Sequence, residues 1–160
     1  MRNRPDWTSY FLGLAKVVSQ RSHDVDTQHG CIITDSSHNI IGTGYNGFAR
    51  GGKRDDTLPL TRPEKYSWML HSERNALANC VVRPTGGIAY VTGQCCNDCI
   101  QALWQHGIDT VYMIDAHGSH LLNNAEQKAI FSRFVEDHDI KIHYVNPDLS
   151  WLKTLIDGVS

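Results

Sequence analysis

The stretches His71–Cys80, HSERNALANC, and Cys95–Ile100, CCNDCI, decide how this chain is read. Cys96 and Cys99 stand at i and i+3, so the first turn of a helix presents both on one face. His71 and Glu73 stand at i and i+2, nearly opposite one another on a helix. They serve one site only at a helix mouth, where side chains point past the first turn. Both runs read as helix starts, the first from about His71 to about Val81, the second from about Cys96 to near Gly107. One imidazole and two thiolates make three protein ligands and leave a fourth tetrahedral position open, as in catalytic zinc sites. Glu73 is close enough to handle protons there without being a ligand. Two helix N-termini facing the ion favour thiolates and hydroxide through their partial positive charge.

Working outward, IAYVT reads as a strand leading into the cysteines, with Arg83–Gly87 as the break before it. On the other side DTVYMID reads as a strand, AHGSHLLNN as a loop, and NAEQKAIFSRFVEDHD as an amphipathic helix offering Ala129, Ile130, Phe134 and Val135 for burial. IKIHYV forms a last strand and LSWLKTLIDG a short terminal helix. Towards the N-terminus, Asp6 caps a helix whose apolar stripe is Trp7, Tyr10, Phe11, Leu14, Val17 and Val18. GCIIT and NIIGTGYNG flank Asp35–His38 as a β-hairpin. Phe48–Pro63, rich in Gly, Arg, Asp and Pro, fits no regular element and reads as a loop, of a length that is usually functional or disordered. Strands separated by crossover helices predict an α/β fold, at least partly parallel, with helices on both sheet faces.

The 160 residues predict one domain, 1–160, large enough to bury a core without disulfides. A net charge of −2 argues against a broad electrostatic grip on nucleic acid. The start MRNRPDW is too polar for a signal peptide, and no apolar run approaches a membrane span. Five cysteines, three of them crowded at Cys95, Cys96 and Cys99, suit metal binding in a reducing compartment, so the cytoplasm is expected. A lone C-x-x-C also marks redox dithiols, but such a site has no need of His71 and Glu73. A structural finger wants a fourth ligand; Cys31 and Cys80 sit where packing accounts for them. The remaining histidines, His29 among them, have no partnered spacing and read as surface or core residues.

With these residues in hand, the sequence resembles the deoxycytidylate (dCMP) deaminases of the cytidine-deaminase-like superfamily. The resemblance runs from Gln20 to about Ile142: QRS-x-D, GCII, GTGYNG, DDTLP, HSERNA, YVT, CCNDC and GI-x-x-VY. H-x-E with C-x-x-C is the signature of zinc nucleobase deaminases; GYNG with QRS and DDxLP narrows it to the dCMP branch. The resemblance implies a cytidine-deaminase-like three-layer α/β/α sandwich with a central five-stranded mixed sheet. It implies one catalytic Zn2+ on His71, Cys96 and Cys99, with Glu73 as proton carrier in the hydrolysis of dCMP to dUMP and ammonia by a zinc-activated water. It further implies a homohexamer, activation by dCTP and inhibition by dTTP, with Mg2+ on the triphosphate, and neither a nucleic-acid nor a membrane partner.

For the substrate, the resemblance puts Asn46 on the sugar hydroxyl and the carbonyls before Cys96, that of Cys95 included, on the amino group. The N–H groups of Ser72 and Cys96 are candidates for pyrimidine O2. Two departures stand out: the family's Pro is here Cys95, and its stacking Tyr is here His117. Arg21, Arg50, Lys53 and Arg54 are candidates for phosphate or effector contact. Tyr45, between Gly44 and Gly47, is a candidate coupling element, since glycines there could allow two backbone states or a positive φ. The long loop has no Cys or His, so no second zinc is expected. Rival readings are a nucleoside cytidine deaminase, an RNA adenosine deaminase, a catalytically dead zinc-stabilised nucleotide sensor, and a C-x-x-C oxidoreductase. A substrate panel, ammonia release and metal content separate them.

Overall fold

The computed structural model describes residues 4–52, 58–114, 122 and 124–158. The first helix, α1 (Trp7–Ser19), begins where expected: the Asp6 carboxylate accepts from the Ser9 N–H at 2.9 Å. Its buried face is rotated from the expected stripe. Phe11, Leu12, Ala15 and Ser19 face inward, while Trp7 and Val17 are about half exposed. The reason is close approach to the strand beside it. The helix backbone lies so near β1 (Gly30–Thr34) that a Cβ on Gly30 would overlap the Ala15 carbonyl. Ala15 and Ser19 therefore face the strand at its closest approach, Phe11 and Leu12 fill the core beside it, and Trp7 is left at the edge.

β1 and β2 (Ile40–Tyr45) form the expected antiparallel hairpin, pairing Gly30 with Tyr45. The main sheet is completed by β5 (Ile88–Val91), β6 (Thr110–Ile114) and β7 (Lys141–Val145), in the order β2-β1-β5-β6-β7. β5, β6 and β7 run parallel, joined by crossover helices, whereas β1 meets β5 antiparallel. The sheet is thus mixed, as expected. Between Gly47 and Leu70 lie elements that the sequence hides: β3 (Gly47–Phe48) pairs with β4 (Met69–Leu70), preceded by one helical turn, α2 (Lys65–Trp68). Each is too short to carry a periodic signal.

α3 (Ser72–Ala78), α4 (Asn97–Gln105) and α5 (Ala125–Asp137) cover the sheet face opposite α1. Alternation along β1 divides the core. Ile32 joins Phe11, Leu12, Ala15 and Tyr90 on one face, and Cys31 and Ile33 join Ala76, Leu77, Ile100 and Leu103 on the other. On α5 the buried residue is Phe131, with Phe134 and Val135 partly covered; Ala129 and Ile130 are exposed. The adjacent apolar pair Ile130-Phe131 allows two stripes, and the larger ring takes the inward one. A short C-terminal helix, α6 (Ser150–Asp157), lays Trp151 over Gly13 of α1. No helix among the described residues is long and apolar enough to cross a membrane.

Candidate metal centre

Both ligand-bearing runs sit at helix mouths. His71 is the N-cap of α3 and Cys96 the N-cap of α4, each in extended conformation, and Cys99 lies in the first turn of α4. This solves the i, i+2 problem: His71 points out of the helix mouth while Glu73 is already in the first turn. A glycine holds α3 down. A Cβ at Gly44 of β2 would overlap the Ser72 carbonyl and the Ala76 N–H, so the helix packs directly on strand backbone.

His71 Nδ1 lies 3.4 Å from the Cys96 sulfur and 3.4 Å from the Cys99 sulfur. The three ligand atoms lie within 4.8 Å of one another. Zn–N near 2.0–2.1 Å and Zn–S near 2.3 Å require ligand separations of about 3.6 Å in a tetrahedron, so one zinc ion fits this donor set. The electrostatics agree. The hydrogen bond from the Cys99 thiol, with the His71 imidazole beside it, holds Cys96 down to about 4 against burial. The same bond, together with burial, pushes Cys99 well up, and the Cys96 sulfur raises His71. Protein alone thus stabilises one thiolate. A cation would stabilise both.

Glu73 is 3% exposed, and its Oε2 accepts from the Ser72 hydroxyl at 3.0 Å. Cys95 is fully buried beside it; burial and a hydrogen bond to Glu73 push the thiol pKa well up and keep it neutral. Cys95 stands outside the ligand group. Its carbonyl accepts from the Gln94 side chain at 3.0 Å and its N–H faces the Met113 sulfur at 3.2 Å.

Asn46 is buried, and its carboxamide ties down the loop before β1. Oδ1 accepts from the His29 N–H at 2.7 Å, and Nδ2 donates to the Thr27 carbonyl at 2.9 Å. Tyr45, whose carbonyl accepts from the Asn75 side chain at 2.8 Å, fixes β2 to α3. Neither Gly44 nor Gly47 has positive φ, so the positive-φ reading of this turn gives way to close packing. Arg21 and Arg50 are exposed; Lys53, Arg54 and His117 lie outside the described residues.

Two features near this centre escape sequence reasoning. Lys65 is 1% exposed and its ammonium lies 2.9 Å from Asp24 and 2.7 Å from Asp26. His29 lies within electrostatic reach of both Glu73 and His71. Nothing local marks either residue; both depend on distant pairings.

Residues 5–115 match the family described as the cytidine and deoxycytidylate deaminase zinc-binding region. The chain belongs to that family. Deoxycytidylate deaminase of Homo sapiens is 35% identical over 120 residues, 70% of this chain and 67% of that protein. The deoxycytidylate deaminase of Mycobacterium phage D29 is 32% identical over 122 residues, covering 68% and 94%. In fold, the chain is similar to the dCMP deaminase of cyanophage S-TIM5 solved with dCMP and dUMP. That match has a TM-score of 0.67 at 20% identity and covers 90% of this chain and all of the other. The cytidine and deoxycytidylate deaminase family thus accounts for the three-layer mixed-sheet architecture and for a zinc-fitting His71/Cys96/Cys99 group.

Proposed function

We propose that the chain, as one domain over 1–160, hydrolyses dCMP to dUMP and ammonia. The observation that carries this is His71 Nδ1 at 3.4 Å from both sulfurs, with Glu73 buried on the same helix mouth. His71, Cys96 and Cys99 would hold zinc, which supplies Lewis-acid activation of water. Glu73 accepts the proton that this water gives up and delivers it to N3 of the cytosine ring. With the water oxygen now bonded to C4, Glu73 takes the remaining proton of that oxygen and gives it to the amino group, and the C4–N bond breaks to leave the carbonyl and ammonia. The Ser72 hydroxyl holds the carboxylate through its bond to Oε2. The N–H groups of Ser72 and Cys96, at the mouths of α3 and α4, are the candidates for pyrimidine O2 or for the developing charge. Asn46 takes the sugar hydroxyl on the Oδ1 lone pair that its contact with His29 leaves over, its two N–H groups being given to Thr27 and Met69.

Arg21, Arg50 and Arg54 are the candidates for the substrate or effector phosphate, and His117 for stacking. Activation by dCTP with Mg2+, inhibition by dTTP and a homohexamer belong to the same reading. So does a cytoplasmic setting, which the five free thiols support. The test is ammonia release from dCMP by zinc-loaded protein, repeated with dCTP·Mg2+ and with dTTP. Glu73→Gln should retain zinc and lose about 10²- to 10⁴-fold in turnover. Normal turnover by that variant would end the proton-carrier assignment, and no ammonia from the wild type would end the function.

A further inference from the structure

His29 lies immediately before β1, on the loop that Asn46 ties down, and its ring packs on the end of β5. A Cβ on Gly93 would come within 2.7 Å of His29 Cε1, so a larger residue there would displace the imidazole. Beside it, the Thr92 hydroxyl accepts from the Gly30 N–H at 3.0 Å and sits 3.4 Å from His29 Nδ1. A hydroxyl has one proton to give. Thr92 is buried, and among the described residues His29 Nδ1 is the acceptor within reach of that proton, so the proton goes to Nδ1 rather than being left unpaired. Nδ1 is therefore the acceptor nitrogen, and the neutral ring carries its hydrogen on Nε2. Burial, the largest influence on this ring, favours the neutral form. Nε2 has no hydrogen-bond partner among the described residues. The backbone is clamped as well: the His29 N–H donates to Asn46 Oδ1 at 2.7 Å, and its carbonyl accepts from the Asn46 N–H at 3.2 Å.

A neutral ring with one nitrogen engaged, a backbone clamped to Asn46, the sugar-hydroxyl candidate, and a half-buried position packed on Gly93, three residues before Cys96, make a fixed, unspent N–H donor beside the catalytic centre, within electrostatic reach of Glu73 and His71. We infer that His29 is a specificity-determining residue whose Nε2–H donates to an uncharged oxygen acceptor on the nucleoside part of the substrate. This rests on the deaminase reading above. The shared chemistry is a carbonyl or hydroxyl oxygen; the base 2-carbonyl and the sugar 3′-hydroxyl are its two sources.

The experiment uses zinc-loaded wild type, His29→Leu, which keeps bulk without a donor, and His29→Gln, whose carboxamide N–H reaches to about the position of Nε2. Expected for His29→Leu is a five- to tenfold fall in kcat/KM for dCMP, the loss of one neutral hydrogen bond, with wild-type zinc content. The dissociation constant for dUMP, measured by calorimetry without turnover, should rise by a similar factor. His29→Gln should stay within about twofold of wild type on both readouts. Repeating the comparison with 2′,3′-dideoxycytidine monophosphate assigns the acceptor: an undiminished loss places it on the base, a vanished one on the 3′-hydroxyl. The inference is overturned if His29→Leu matches wild type in both readouts, if His29→Gln falls as far as His29→Leu, or if zinc loss accounts for the deficit. Should the wild type bind dUMP without deaminating dCMP, the function fails while dUMP binding still decides His29. Neither turnover nor binding would overturn both.

Discussion

Two clusters of polar groups, one built on the loop before β1 and the other on the mouths of α3 and α4, follow opposite principles. In the Lys65 knot, one ammonium meets two carboxylates at 2.9 and 2.7 Å, and Asp24 Oδ1 also accepts from the Asp26 and Thr27 N–H groups. Every charge there has its partner in the chain. In the His71/Cys96/Cys99 group, two sulfurs and a ring nitrogen converge, and the chain stabilises only one of the sulfurs as a thiolate. The first cluster is complete as protein. The second is a set of acceptors arranged for a cation. Burial of polar groups alone therefore does not mark a reactive site; what marks it is a donor set that the protein leaves short of positive charge.

The sharpest way to break this contrast is to remove one partner from each cluster. Cys99→Ala should lose zinc and with it at least 10³-fold in deamination, while the far-ultraviolet spectrum stays that of the wild type. Metal analysis after dialysis and a dCMP assay read the two outcomes; a fully zinc-loaded Cys99→Ala protein would remove that residue from the ligand set. Lys65→Met should do the reverse, keeping zinc in the folded fraction and lowering stability. Severing a buried ion pair costs about 3–5 kcal/mol when the orphaned charge is deep. Lys65 and Asp24 are shut off from water, but the Asp26 carboxylate is half exposed. A loss of about 2–3 kcal/mol is expected, at and below the low end of that range, measured as a shift in the urea midpoint at constant slope. A loss of metal without a loss of stability would mean that the knot serves the metal centre after all.

What could be read from the sequence divides along the same line. His71, Glu73, Cys96 and Cys99 were legible because their spacings are local and a helix N-terminus converts spacing into direction. The strands of the main sheet were legible from their apolar runs, and the parallel half followed from the intervening helices. The antiparallel meeting of β1 with β5 carries no local signature, because it is set by which edges remain once the hairpin has formed. The Lys65–Asp24 pair spans 41 residues and the His29–Thr92 contact 63, so neither has a pattern to read. On α1 and α5 the helices were placed correctly but turned by about one residue. Adjacent apolar pairs, Phe11-Leu12 and Ile130-Phe131, leave the inward face undecided until the backbone approach at Gly30, or the size of Phe131, decides it.

The smallest effect is the most discriminating test of the knot. Burial alone would raise the Asp24 carboxyl, but the Lys65 hydrogen bond and the two backbone N–H groups outweigh it, so its folded pKa lies below the ordinary value. Its contribution is then complete above the unfolded pKa near 3.9 and is lost only as pH falls through the lowered folded value. The hydrogen bonds that its ammonium donates to Asp26 and Asp24 raise Lys65 above its ordinary 10.5. That contribution is complete below the unfolded value and is lost as pH climbs through the raised one. Between about pH 5 and pH 9, therefore, the melting temperatures of wild type and Lys65→Met should differ by a constant amount, to within about a degree. The gap should narrow below that interval as Asp24 takes up a proton, and above it, at strongly alkaline pH, as Lys65 loses one. Zinc occupancy over the same interval should decline as protons compete for its ligands. If the gap instead tracked zinc occupancy, the two clusters would be one coupled unit and the division between them would not hold.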